Sequence, residues 1–124
     1  MKDRLQHSMA ELAQLLDAPR QTGTALGNWR WTVRQRLAAL RDDLAHESGF
    51  TTDGWLMARE GHVLRERNSL LHRMATLSPS VLETPDPDDV RHDLRRLLAD
   101  VTHHRQRIHD LVYDDVEIEL GGSE

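Results

Sequence analysis

The chain has 124 residues, of which 38% are hydrophobic and 30% charged, and its formal net charge is −5. That length fits one compact domain, and the mixture is too apolar for a disordered chain. Cysteine is absent, which removes disulfides, thiolate nucleophiles and thiolate metal sites together, so any metal site would need His, Asp and Glu ligands. No apolar run approaches the roughly eighteen residues of a membrane span, and the opening MKDRLQHSMAEL is polar rather than a secretory leader, so a cytoplasmic protein is expected.

Leu5, Met9, Leu12 and Leu16 recur at helical spacing before Pro19 and predict a short first helix. Thr22, Gly23 and Thr24 open a second, whose stripe Leu26, Trp29, Val33, Leu37, Leu40 and Leu44 keeps to one face until Ser48 and Gly49. A third is expected from the caps Thr51, Thr52 and Asp53, with Leu56, Met57, Val63, Leu64, Leu70, Leu71 and Met74 inward and an end near Ser78 and Pro79. SPSVLETPDP reads as the loop that follows. Asp86 then serves as N-cap and Pro87 as the first helical residue, with Asp88 and Asp89 favoured by the helix dipole. The fourth helix carries Val90, Leu94, Leu97, Val101, Ile108 and Leu111. Val116-Glu117-Ile118-Glu119-Leu120 alternates like a strand, and its reading as a frayed helix end, an ordered arm or an added strand stays open. Short connections favour antiparallel neighbours. The expectation is an all-α, antiparallel four-helix bundle over residues 1–115 with an acidic C-terminal arm, 116–124.

Eight histidines invite a metal hypothesis, but the helical period scatters them. His62 and Glu66 stand one turn apart and are placed on the face of Arg65, Ser69 and Arg73, opposite Val63 and Leu70, which predicts solvated surface. His92, His103 and Asp110 share the outer face of the fourth helix, His7 and His46 lie off their stripes, and His109 and Asp114 are five apart, a poor match to one face. Only His104 sits on an apolar seam, where a hydrogen-bonded core histidine competes with a ligand. No metal or cofactor is expected.

Trp31-Thr32-Val33-Arg34-Gln35-Arg36-Leu37-Ala38-Ala39-Leu40 resembles the second-helix signature of the DinB/YfiT-like helical-bundle family, and His104-Arg105-Gln106-Arg107-Ile108 is similar to a stretch of its last helix. The two segments cover about twenty residues. Members of that family typically bind a divalent metal through three histidines. Here only His104 matches, with Ala39 and Asp100 at the other positions, so the resemblance implies a bundle that has lost the metal set.

The apolar stripes also break where charge faces inward, and an inward charge must be paired. Glu60 and Arg67 interrupt the third helix, and His104 and Arg105 fill the gap between Val101 and Ile108. A hairpin register brings Glu60 level with His104 and Arg105. Such a cluster is either a register-setting ion pair or, if catalytic, an acid/base or anion site made of Glu60, His104 and Arg105.

From Arg20 to Arg41 there are five arginines and no acid, with Arg30, Arg34 and Arg41 on one flank of the second helix. Trp31 projects away from the apolar stripe, where contact with the first loop, the arm or another molecule would cover it. From Asp110 onward there are six acids and no base, so the arm could meet the arginine flank within the chain or on a neighbour. The overall negative charge and low aromatic content disfavour nucleic acid. These features predict a non-catalytic interaction or adaptor protein, possibly self-associating, with a protein partner or a homo-oligomeric contact through Arg30, Trp31, Arg34, Arg41, Val116 and Ile118. The alternative is a DinB-like small-molecule or metal-binding enzyme using Glu60, His104 and Arg105.

Overall fold

The computed structural model describes residues 4–46 and 61–122, with side-chain surroundings described as far as Asp110. It is an all-α helical bundle: α1 (Arg4–Asp17), α2 (Gly23–His46), α3 (Gly61–Glu83) and α4 (Pro87–Gly122). The expected start of the third helix, with Leu56 and Met57, lies outside the described residues.

Side-chain bonds fix the course of the chain. Trp29 reaches Leu15 and Arg36 reaches Glu11; Arg30 reaches Val81 and Arg34 reaches Ser78; Arg73 reaches Asp100 and Glu66 reaches His104. In each set rising numbers on one helix meet falling numbers on the next, so successive helices run in opposite directions. α2 packs against α1 and α3, and α4 packs against the same two, which leaves α2 and α4 at opposite corners.

The core follows the helical period. Leu5, Leu12 and Leu16, then Trp29, Val33, Leu37, Leu40 and Leu44, then Leu70, Met74 and Val81, then Val90, Leu94, Leu97 and Val101 form one buried cluster. In α1 the position expected for Met9 is taken by Ser8, which is buried because its hydroxyl bonds the Asp43 carboxylate, while Met9 is only partly buried. Leu64, expected inward, is 36% exposed, since it sits about 100° around α3 from Val63.

α3 does not stop at Ser78 and Pro79. It continues to Glu83, so six of the ten residues of the expected loop belong to this helix. Val81 is 1% exposed, and Arg30 donates to the Val81 carbonyl (2.9 Å), one of those a helix end leaves orphaned, and to the Pro85 carbonyl in the connection that follows (3.1 Å). Burial and this cap outweigh the donor lost at Pro79. The start of α4 is as expected: Asp86 Oδ1 accepts from the Asp88 amide at 2.9 Å.

The carbonyls at the end of α1 are met from two sides. Trp29 Nε1 donates to Leu15, while Arg91 and Arg95 donate to Leu16 at 2.5 and 2.7 Å. Arg91 is buried because its guanidinium also stacks on the Trp29 ring, 4.5 Å from its centre. Past Asp110, α4 runs on as helix for Leu111–Gly122, about 18 Å at ~1.5 Å per residue. Helix thus replaces the strand alternative for Val116–Leu120. No helix among the described residues is long and apolar enough to cross a membrane.

Candidate functional site

Two regions hold the residues singled out by the sequence, and they lie on opposite flanks of α3.

On the flank facing α4, His104 is fully buried, and its Nδ1 lies 2.6 Å from Glu66 Oε1. Arg107 closes the same carboxylate from the other side, Nε to Oε1 at 3.0 Å and Nη2 to Oε2 at 2.5 Å, a bidentate fork. Burial is the largest influence on His104 and pushes its pKa down; the charges of Arg107 and Arg67 add to this, and the bond and charge of Glu66 only partly oppose it. The neutral ring then donates from Nδ1 to Glu66. Its Nε2, like Arg67 Nε and Nη1, is buried with no hydrogen-bond partner among the described residues. On Glu66 burial works upward, but the bonds from Arg107 and His104 outweigh it and hold the carboxyl below its ordinary range.

Glu66 is therefore not the solvated residue that its pairing with His62 suggested; His62 is exposed and Glu66 half-buried. The signal was present but misweighted. Glu66 is three residues after Val63 and four before Leu70, both buried, so it borders the apolar stripe on the side α4 covers. Arg107, missed altogether, stands three residues after His104 and next to Ile108. Glu60 lies outside the described residues. Arg105 lines a groove of about 480 Å³ between α1 and α4 with Gln6, Met9 and Leu98. At the positions matched to the DinB/YfiT-like metal set, Asp100 bonds Arg73 at 2.6 Å and Ala39 is half-buried. Among the described residues, no group of three His, Asp or Glu is placed to hold a metal ion.

On the flank facing α2 the chemistry is different. Trp31 is 52% exposed, and Arg34 lies over its ring at 6.0 Å while its Nε reaches Ser78 Oγ at 3.4 Å. Ser78 thereby marks the line of α3 that borders α2. Leu64, Leu71, Ala75, Ser78 and Leu82 follow one another at spacings of seven, four, three and four, so all five share that line. Leu82 is 41% exposed. Trp31, Leu64 and Leu82 are the large hydrophobic side chains exposed among the described residues; Trp31 and Leu82 stand level at the α2/α3 seam, while Leu64 lies about 27 Å along α3 from Leu82, past the described end of α2. Along α2 the same seam carries Trp31, Arg34, Ala38 and Arg41, of which Ala38 and Arg41 are exposed. Arg30, expected at a contact surface, is engaged in capping α3. Val116 and Ile118 fall in the helical overhang, and their side chains lie outside the described residues.

Comparison with known proteins matches no family model, no curated protein and no solved structure.

Proposed function

We propose that this chain is a non-catalytic helical interaction protein whose contact surface is the outer seam between α2 and α3. One observation carries the reading: Trp31 and Leu82, two of the three large hydrophobic side chains exposed among the described residues, stand at the same level of the α2/α3 pair, where Arg30 bonds Val81 and Arg34 bonds Ser78. Single exposed apolar residues are ordinary, whereas an exposed tryptophan and leucine side by side with Arg34 over the ring have the composition of an interface, in which tryptophan and arginine are enriched.

The Glu66–His104–Arg107 cluster supports a structural role better than the small-molecule enzyme alternative. The ring that would carry protons is enclosed, and both oxygens of the carboxylate that reaches the surface are held by Arg107. A groove of about 450 Å³ with His62, Arg65 and Arg73 opens beside Glu66, which is where a small ligand would have to bind under that alternative.

The seam is tested by placing a photo-crosslinking amino acid at position 31 and, as a control, at exposed position 99 on α4, in cells producing the protein. A discrete adduct at 31 and none at 99 is expected. Absence of an adduct at 31, or equal labelling at both positions, contradicts the reading.

A further inference from the structure

We infer that the groove between α1 and α4 binds a single-chain amphiphile with an anionic head group, of the class of a medium-chain fatty carboxylate. The site lies across the bundle from the α2/α3 seam and does not depend on it.

The groove follows from side-chain size. α1 and α4 are the least closely packed of the neighbouring helix pairs. Two of the α1 side chains that face α4 are Ala10 and Ala13, which are too short to fill the space between the helices, and a groove of about 480 Å³ is left. That volume falls within the roughly 300 to 1,000 Å³ of small-molecule sites. Met9, Ala13 and Leu98 are half-buried and make an apolar floor, while Ala10 and Thr102 are exposed along its rim.

The groove is graded from end to end. Arg95 donates to the Leu16 carbonyl and to Asp17, which sets the end of α1 level with Arg95 and closes the groove there with an ion pair. Counting back from that level along antiparallel helices puts Ala13 beside Leu98, Met9 and Ala10 beside Thr102, and Gln6 beside Arg105. The apolar side chains therefore gather at the closed end, and Arg105 stands at the other, with His109 one turn beyond it. No aspartate or glutamate is among the described residues that line the groove.

Apolar surface at one end and a guanidinium at the other match the two parts of an anionic amphiphile: the tail removes its methylenes from water, and the carboxylate meets a positive charge. Charge also sets the direction. At the closed end Arg95 is held by Asp17 and by the Leu16 carbonyl, and Asp17 repels a carboxylate, so the tail lies over Ala13 and Leu98 and the head group lies at Arg105. A cationic amphiphile offers the same tail but sets like charges together.

The test is a titration of the full chain, labelled with 13C in its methionine and alanine methyls, with dodecanoate, decanoate and dodecyltrimethylammonium, each below its micelle concentration. Saturable shifts at Met9, Ala10 and Ala13 are expected from dodecanoate, with Met74 in the core unmoved. Decanoate should bind at least threefold more weakly, because two methylenes leave the floor, and the cationic amphiphile at least tenfold more weakly. Two variants, each checked for folding by thermal melting, locate the ends of the ligand. Arg105→Gln is expected to lose at least fivefold in dodecanoate affinity, with Arg105→Lys retaining most of it, and Ala10→Trp, at an exposed position, to block the groove and abolish saturation.

Shifts that never saturate, or that spread over methyls on all four helices, overturn the inference. So does equal binding of the cationic amphiphile, or dodecanoate affinity unchanged in either Arg105→Gln or Ala10→Trp. Each of these results leaves crosslinking at position 31, and with it the reading of the α2/α3 seam, untouched.

Discussion

α3 shows opposite chemistry to its two outer neighbours. Toward α4 it offers Glu66 and Arg73, each bonded across the seam, to Arg107 and His104 in one case and to Asp100 in the other. Toward α2 it offers Leu64, Leu71, Ala75 and Leu82, of which Leu82 is left exposed level with Trp31. A seam closed by charge pairs its carboxylates across the helices and holds register; a seam left apolar at its rim has free energy still to gain from another surface. Under the proposed function the first seam supplies stability and the second binding, and substitutions on each side should separate those two properties.

The largest expected effect lies on the closed side. Glu66→Ala removes the acceptor of both His104 and Arg107, and is expected to destabilise the fold by about 1 to 3 kcal/mol in urea unfolding, with Glu66→Gln less damaging because it keeps an acceptor. A loss below about 0.5 kcal/mol would break the contrast between the seams.

The same cluster sets a pH dependence. Burial holds the His104 pKa below the ordinary histidine value of about 6.5 in the folded state, so below that ordinary value the unfolded chain takes up a proton that the folded chain refuses. Glu66 is lowered from 4.5, and its contribution likewise disappears as pH falls through its folded value. Both groups therefore remove stability in the same direction. Melting temperature should fall as pH is lowered from 7 towards 4, and the part of the decline beginning near pH 6.5 should be absent in His104→Leu. A decline unchanged by that substitution would place its origin elsewhere.

Next in size is Arg30→Ala, which uncaps the end of α3 beyond Pro79. About 1 kcal/mol is expected, with hydrogen exchange rising first at the amides of 80–84. Uniform protection loss across all four helices would show that Arg30 is not a local cap.

The helices and most of their inward stripes were legible because the 3.6-residue period of leucine and valine is strong in every segment, and Asp86-Pro87 marks a helix start by its own chemistry. Sequence was weaker at stripe borders. Glu66 and Leu64 are each about 100° or less from a buried neighbour, and which border is covered depends on where the next helix packs, not on the period. α3 was shortened at Pro79 because the cap comes from Arg30, fifty-one residues away from the Val81 carbonyl it bonds. Of the polar gap, Arg67 and His104 were found and Arg107 was not. Exposure of Trp31 followed directly from its angle to Trp29 and Val33, but the line it forms with Leu82 required the α2/α3 register.

The smallest effect on stability is expected on the open seam. Trp31→Ala with Leu82→Ser should leave unfolding free energy within about 0.5 kcal/mol, since neither side chain is in the buried cluster. A larger loss would mean that the seam belongs to the fold.

The central claim, that this seam is covered by association, is tested most directly by 19F spectroscopy of the chain labelled with fluorotryptophan. The Trp31 resonance is assigned by Trp31→Phe and followed from dilute to concentrated solution by its solvent-isotope shift. A shift that shrinks as concentration rises is the predicted result. A Trp31 resonance equally exposed to solvent at every concentration would contradict it.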